Sequence, residues 1–101
     1  MVNTGLLVRV EAKPDKVPDV EAMLESAVEH VRKEGLAVAW FALRLGPTTF
    51  AIFDAFANEA DREAHWDANG EALNAAAAAG LFAGAPYVDR VDVLAAKLPD
   101  E

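Results

Sequence analysis

Cysteine is absent from this 101-residue sequence, and histidine is scarce, with only two copies. Without cysteine the chain has no disulfide, no thiolate metal site and no cysteine nucleophile, which fits a reducing cytoplasm. Basic residues are also few, because nine lysines and arginines face seventeen acidic residues. The resulting net charge of -8 repels phosphate backbones and anionic membranes, so nucleic acid is not expected as a partner.

Long apolar runs are missing as well. Spanning a bilayer takes about 20 apolar residues. The longest weakly polar run, residues 73–86, is interrupted by Asn74, Gly80 and Gly84. Residues 1–4 lack the basic and apolar regions of a signal peptide. We therefore expect a cytoplasmic protein that has no membrane partner.

The sequence lacks the residues that common cofactor, metal and nucleophile sites require. No glycine-rich phosphate loop is present, so flavin and nicotinamide cofactors have no visible cradle. Two histidines at distant positions do not make a metal site. Ser26 is the only serine and has no nucleophile-elbow context. We therefore expect a protein that works without a bound cofactor or metal.

The sequence contains enough apolar residues to form the core of one folded domain. Hydrophobic residues make up 53% of the chain, and the length suits a single domain, 1–101, with its core over about residues 5–98. Period-two alternation predicts strands at 5–12, 36–45, 50–57 and 87–97. Apolar residues at three- and four-residue intervals predict a helix between the first two strands and another between the last two.

Capping residues place the ends of these helices. Asp15 and Asn58 suit N-caps, and Gly35 suits the left-handed position that follows a helix. The second helix is predicted to run to about Ala79, with a bend or interruption near Gly70, because glycine costs about 1 kcal/mol there relative to alanine. The order βαββαβ with right-handed crossovers predicts an α+β, ferredoxin-like fold: an antiparallel four-stranded sheet with both helices on one face.

The predicted hairpin is apolar on both faces, although a sheet with one wet face alternates apolar and polar residues. One face carries Ala37, Ala39, Phe41, Leu43 and Leu45 of the second strand, and the other carries Val38, Trp40 and Ala42. In the third strand Phe50, Ile52 and Phe56 alternate with Ala51, Phe53 and Ala55. Two helices cover only one face, so we expect a second copy to cover the other and form a dimeric α/β barrel. The alternative is a monomer whose own C-terminal tail caps the sheet.

His65 is the main candidate for proton chemistry. Its spacing from Asp61 and Ala72 puts it on the side of the second helix that faces the sheet, and histidine exchanges protons near neutral pH. The alternative is a core histidine satisfied by a backbone carbonyl or a carboxylate. His30, at the edge of the first helix's apolar stripe, is interpreted as a boundary residue without a catalytic part.

Other polar and aromatic residues allow two interpretations. Trp40 and Trp66 serve either as apolar anchors or as cavity walls, and Tyr87 either binds a phenolic or carbonyl ligand or anchors the last strand. Charges within strands are costly when buried unpaired. We expect them to form ion pairs between strands or subunits, or to line a ligand cavity: these residues are Arg9, Arg44, Asp54, Arg90 and Asp92.

Four stretches of the sequence form a family pattern: GLLVRVEAKP (5–14), LRLGPTTF (43–50), IFDAF (52–56) and EAH (63–65). Through them the sequence resembles the antibiotic-biosynthesis-monooxygenase family, and the resemblance extends over nearly the whole chain. It implies a homodimer with a pocket between sheet and helices that binds a small apolar or aromatic molecule. It also implies oxidation of a phenolic, quinol-like or polyketide-type substrate by molecular oxygen as co-substrate, without flavin, haem or metal.

The resemblance assigns roles to single residues. His65 matches the family's second-helix histidine and is expected to accept or relay the proton, with Trp66, Trp40 and Phe53 as apolar wall and Arg44 and Tyr87 as further pocket residues. A second histidine that many relatives carry is missing at 68–71. The haem-degrading branch has an asparagine where this chain has Val8 and a later helical histidine where it has alanines, which argues against haem degradation. The competing hypothesis is a dimeric protein of this fold that binds a small molecule, or acts in stress, without turnover.

Overall fold

The computed structural model describes residues 2–99 and has the predicted element order. Its strands and helices are β1 (Thr4–Glu11), a 3-10 turn (Pro14–Lys16), α1 (Val17–Glu34), β2 (Ala39–Arg44), β3 (Thr49–Phe56), α2 (Glu59–Ala78) and β4 (Tyr87–Asp92). The strands pair antiparallel in the order β2-β3-β1-β4. This is the ferredoxin-like α+β fold, so that prediction is confirmed.

Helix α1 ends as predicted and begins differently. Gly35 has φ 71°, and its N–H donates to the carbonyl of Val31, as a left-handed helix end requires. Asp15, however, does not cap the helix. It lies in the 3-10 turn that precedes α1, and the N-cap position falls to Lys16, whose side chain makes no capping hydrogen bond. The extra turn moves the start of α1 beyond Asp15, which corrects that prediction.

Helix α2 begins at the predicted cap and continues through the predicted break. The Asn58 side chain accepts a hydrogen bond of 2.8 Å from the backbone N–H of Asp61. The helix is uninterrupted from Glu59 to Ala78, so the predicted interruption near Gly70 is wrong. A Cβ atom on Gly70 would lie 3.1 Å from the Trp66 ring, so this glycine makes room for an indole on the preceding turn.

The two edge strands are shorter than predicted because each has a single neighbour. Strand β4 pairs only with β1, and their ladder ends at Thr4↔Asp92, so β4 does not reach Lys97. Strand β2 pairs only with β3, and its ladder begins at Ala39↔Ala55. The central pair β1–β3 comes unusually close at Gly5, where a Cβ atom would lie 2.5 Å from the backbone oxygen of Asp54.

The core lies between one face of the sheet and the two helices. The register sets Val8 opposite Ile52 and Val10 opposite Phe50, on the face that both helices cover. Val20 of α1 and Ala76 of α2 are buried in the same cluster. The side chains of β3 therefore alternate between the two faces of the sheet as predicted, and Phe50, Ile52 and Phe56 are directed towards the helices.

The opposite face, here called the open face, is not covered by either helix, and large apolar side chains on it are exposed within residues 2–99. Leu7 lies opposite Phe53, which lies opposite Phe41, so three apolar side chains form a row across three strands. Phe41 is 54% exposed, and Leu43 and Tyr87 are also exposed. No helix within residues 2–99 is long and apolar enough to cross a membrane.

Candidate functional site

A cavity of about 100 Å³ lies between the sheet and the two helices. The strands contribute side chains on the same face of the sheet as Ile52, and each helix contributes the side chains that face the sheet. The cavity is therefore formed by the same alternation of side chains that forms the core. The wall is predominantly apolar. Its residues are Leu6, Val8, Trp40, Ile52 and Asp54 from the sheet, Met23, Leu24, Ala27 and Val31 from α1, and His65, Trp66, Asn69, Ala72 and Leu73 from α2.

His65 is held at this wall between two carboxylates. It is 5% exposed and lies on the inward side of α2, as predicted. Its Nε2 atom lies 3.0 Å from Oδ2 of Asp54, and its Nδ1 atom lies 2.5 Å from Oε1 of Glu34. The Phe56 ring packs against the imidazole with the ring centroids 5.2 Å apart. Both ring nitrogens are therefore occupied by partners from other elements.

Each carboxylate reaches His65 from a defined place in the fold. Asp54 stands in the middle of β3 with its side chain on the helix face, and Glu34 is the last residue of α1. Asn69, one turn after His65 on α2, donates through Nδ2 to Oε2 of Glu34 at 2.8 Å and to the His65 carbonyl at 2.7 Å. Asn69 thus fixes the end of α1 against α2.

The two carboxylates determine the charge of the imidazole. Burial by itself lowers the pKa of His65, but the hydrogen bonds and charges of Asp54 and Glu34 outweigh it, so the pKa is raised above its ordinary value. A carboxylate oxygen faces each ring nitrogen, so both nitrogens are placed to donate, which favours the imidazolium form.

One atom of this cluster has no partner. Asp54 is 2% exposed, and its Oδ1 is the one buried side-chain polar atom within residues 2–99 that lacks a hydrogen bond. Buried polar atoms are normally satisfied, and leaving one unpaired costs about 1–3 kcal/mol. Asp54 is one of the residues that line the cavity, so the unpaired atom belongs to a side chain of the cavity wall.

The cavity brings together three of the six residues predicted for the site: His65, Trp66 and Trp40. The other three, Phe53, Tyr87 and Arg44, are not among the residues that line this cavity. Phe53 is on the open face, because strand alternation sends it away from its neighbour Ile52. Tyr87 is exposed and pairs with Arg9, whose side chain is also on the open face.

Arg44 lies on the helix face of the sheet but outside the cavity. Its Nη2 atom forms an ion pair of 2.6 Å with Glu21 of α1, and its guanidinium stacks 4.8 Å from the Phe50 ring centroid. This arrangement joins β2 to the first turns of α1. Arg44 therefore has a packing role in this chain, at the far end of α1 from Glu34.

The strand charges pair with helices and not with neighbouring strands. Besides Arg44, Arg90 of β4 pairs with Glu63 of α2 at 2.8 Å. Hydrogen bonds from Arg90 and Arg62 lower the pKa of Glu63 to about 2. Asp54 pairs with His65, whereas Arg9 forms none of the ion pairs found within residues 2–99. Within one copy Arg44 and Arg90 therefore pair with helices and not with strands, and pairing between subunits stays a prediction.

Sequence reasoning did not identify Glu34 and Asn69 as members of the site. A signal existed for two of the three polar partners of His65. Asp54 has the parity of Ile52 and Phe56 along β3, and Asn69 follows His65 by one helical turn. Glu34 had no such signal, because it reaches His65 only through the packing of α1 against α2.

Within residues 2–99, no group of three or more His, Asp or Glu side chains has the arrangement of a metal site. The cluster of His65, Asp54 and Glu34 is consistent with this, because its ring nitrogens already contact carboxylate oxygens. The arrangement is instead suited to holding a proton and a negative charge beside a small apolar space.

Two solved structures with low sequence identity share the fold of this chain. A protein from Caulobacter crescentus described as a candidate antibiotic biosynthesis monooxygenase superposes with a TM-score of 0.76 at 16% identity, covering 93% of this chain and 92% of that one. A second candidate of the same description, from Nitrosomonas europaea, gives a TM-score of 0.77 at 18% identity, covering 91% and 90%. The resemblance predicted from sequence is thus confirmed at the level of the fold.

A nearer relative defines the family. A protein of unknown function from Nitrosomonas europaea shares 45% of its residues with this chain, with a TM-score of 0.91 and coverage of 98% of this chain and 96% of that one. The chain belongs to the same family as this Nitrosomonas protein. No protein-family model matches the chain, and no curated protein matches it.

Proposed function

We propose that this protein is a cofactor-independent monooxygenase that oxidises a small phenolic or quinol-like molecule with molecular oxygen. The observation that carries the proposal is the apolar cavity with a buried imidazole and carboxylate on its wall. Several solved structures with this fold are described as antibiotic biosynthesis monooxygenases, which supports the same class. The proposal gives His65, together with Asp54, the task of handling the substrate's proton.

The size of the cavity narrows the substrate. Ligand clefts usually measure about 300–1,000 Å³, whereas an engineered cavity of about 150 Å³ holds benzene. A cavity of about 100 Å³ therefore favours a single-ring substrate. Larger polycyclic or polyketide-type substrates need the two helices to move apart.

The proposed reaction needs no redox group on the protein. Loss of the phenolic proton gives an electron-rich phenolate, which passes one electron to oxygen to form a phenoxyl radical and superoxide. These combine at a ring carbon that bears hydrogen, and protonation gives a hydroperoxide. Loss of water, with the ring hydrogen, leaves a carbonyl. A phenol and O₂ thus become a quinone and water, with four electrons moving from the ring to oxygen.

The chain's own residues supply the surroundings for this chemistry. The apolar wall, including Trp40 and Trp66, excludes water from the reactive anion. The Asp54 carboxylate takes up the phenolic proton, His65 holds that carboxylate through a hydrogen bond, and Glu34 holds the imidazole in one orientation. No step requires flavin, haem or metal.

The proposal includes a homodimer formed through the open face. The row of Leu7, Phe53 and Phe41 is apolar and uncovered, and a two-fold axis sets such a patch against itself. Arg9 and Asp89 lie on the same face with opposite charges, so a two-fold axis allows each to meet the other across the interface. This charge complementarity favours a second copy over an unrelated partner.

One observation favours the competing function, ligand binding without turnover. Both ring nitrogens of His65 are satisfied by carboxylates, as in a core histidine that only stabilises the fold. Binding alone then accounts for the cavity, and oxygen consumption is the measurement that separates the two functions.

The test measures oxygen uptake with single-ring quinols and phenols, and with anthrones as larger members, in the native protein and in His65→Ala. We expect acceleration by the native protein and a loss of roughly 10²–10⁴-fold in the variant. His30→Ala is the matched control, because His30 is the other histidine and is exposed. His65→Gln and circular dichroism separate lost chemistry from lost folding. If the native protein accelerates no member of the panel, the oxygenase proposal is overturned in favour of binding.

A further inference from the structure

The free oxygen of Asp54 identifies where a ligand's polar group binds. Oδ2 is held by His65 at 3.0 Å, whereas Oδ1 is buried without a partner. A carboxylate oxygen in an apolar wall attracts a hydrogen-bond donor strongly, because charged hydrogen bonds in dry surroundings are among the strongest in proteins. Within residues 2–99 no group donates to Oδ1, and Asp54 lines the cavity, so the cavity is the side from which a ligand can supply the donor.

We propose that the ligand donates a hydroxyl or N–H hydrogen bond to Oδ1 of Asp54, so that the site selects compact apolar molecules carrying one donor. The inference rests on the proposed function for the location of the ligand, but it requires no turnover. It makes a strand carboxylate, and not the histidine, the group that touches the ligand.

His65 is unsuited to that contact in the geometry observed. Its Nδ1 faces Glu34 and its Nε2 faces Asp54, so neither nitrogen offers a lone pair to a ligand. His65 is instead a positioning residue. By holding Oδ2 it fixes the rotation of the carboxylate and leaves Oδ1 as the oxygen that a ligand can bond.

Water is a poor competitor for this position. A buried water makes about three hydrogen bonds, and a site with fewer polar partners holds it weakly. At the wall, both His65 nitrogens and the Asn69 Nδ2 atom are engaged within the protein, whereas the Asn69 Oδ1 atom and the indole N–H groups of Trp40 and Trp66 remain as further polar groups. A ligand that brings both a donor and an apolar ring bonds Oδ1 and also packs against the apolar wall, which water does not do.

The donor preference is measurable by fluorescence. The chain has two tryptophans, and both line the cavity, so quenching of Trp40 and Trp66 reports occupancy. The probes are phenol and methoxybenzene, which present the same ring with and without the hydroxyl donor. We expect phenol to bind the native protein roughly tenfold or more tightly, as a hydrogen bond to a charged acceptor implies.

Two variants, each with one carboxylate replaced by an amide, show whether Asp54 is the cause of the preference for phenol. Asp54→Asn is expected to lose most of the preference for phenol, because an amide offers either a weaker acceptor or a donor in place of Oδ1. Asp67→Asn makes the same chemical change at an exposed position on α2, outside the cavity wall, and is expected to keep the preference. The unfolding curve of each variant shows whether it is folded under the binding conditions.

Carboxyl-carbon NMR of the native protein gives a second readout that needs no variant. Phenol should shift the Asp54 side-chain carboxyl signal, and methoxybenzene should not. Equal affinity for the two probes, no binding of either, or a preference that survives in Asp54→Asn overturns the inference. A donor preference without oxygen uptake leaves the inference standing and overturns the oxygenase proposal, so the two failures are distinguishable.

Discussion

Gly70 and Trp66 lie one turn apart on α2, and a Cβ atom on Gly70 would meet the indole at 3.1–3.2 Å. Gly70→Ala therefore has two opposing effects. Alanine gains about 1 kcal/mol of helix propensity, but the indole has to move by a few tenths of an ångström. We expect a net change of about 1 kcal/mol or less in the free energy of unfolding, with a shifted tryptophan emission and weaker ligand binding, because Trp66 lines the cavity.

Urea unfolding and emission spectra check this expectation. Gly84→Ala is the matched control, because a Cβ atom on Gly84 meets nothing within 4 Å. That variant should leave both emission and ligand affinity unchanged. If Gly70→Ala behaves like Gly84→Ala in both readouts, the glycine is not there to accommodate the indole.

The His65 imidazolium makes stability depend on pH. The charged groups that face its ring are Asp54 from β3 and Glu34 from α1, and they raise its pKa above the ordinary value of 6.5. As pH rises, His65 therefore loses its proton in the unfolded state before it does so in the folded state. The stabilisation is fully present below the unfolded pKa and is lost as pH rises through the folded one.

Urea unfolding between about pH 6 and pH 9 measures this loss, whose slope cannot exceed about 1.4 kcal/mol per pH unit for one proton. His65→Gln removes the titrating group, and its stability should be flatter over the same range. His30→Gln should keep the native slope. A native protein that becomes more stable with rising pH over this range contradicts the imidazolium assignment.

Glu34 and His65 should be strongly coupled energetically. Removing one member of a buried ion pair leaves the other charge uncompensated, so Glu34→Ala is expected to lower the free energy of unfolding by roughly 3–5 kcal/mol. A double-mutant cycle with His65→Ala should give a coupling of about 1–3 kcal/mol. The exposed pair of Glu29 and Arg32 on the same helix is the comparison, with a coupling of about 0.5 kcal/mol or less. Equal couplings for the two pairs would show that the Glu34–His65 contact carries no special weight.

The open face should control the oligomeric state. Phe41→Asp puts a charge in the row of apolar side chains across the sheet, and we expect it to convert a dimer to a monomer. Sedimentation equilibrium at micromolar concentration measures the mass directly. Ala68→Asp adds the same charge at an exposed position on α2 and should leave the dimer intact. A native protein that sediments as a monomer contradicts the proposed interface.

Local signals were sufficient to predict much of the fold. Asn58 is a cap because its side chain meets an N–H three residues later, and Gly35 ends α1 because its backbone adopts a positive φ. Neither feature depends on distant parts of the chain. Asp15 failed as a cap because a short 3-10 turn, which the sequence pattern does not distinguish from a helix start, precedes α1.

The site was less predictable because it depends on long-range packing. His65 was placed correctly by its position on a helix, but its partner Glu34 is 31 residues away and meets it only when α1 and α2 pack. Phe53 shows the opposite case. Because side chains alternate along β3, Phe53 and Ile52 lie on opposite faces of the sheet. The sequence pattern was therefore sufficient to place Phe53 away from the cavity.

Gly5 has no functional group, yet it determines where the acid of this cavity stands. A larger residue there would strike the Asp54 backbone oxygen, widen the spacing between β1 and β3, and displace the carboxylate through its own main chain. Redesign of the cavity therefore has to treat position 5 as part of the frame. A homologue with a bulkier residue at this place would need another route to deliver its acid to the ligand.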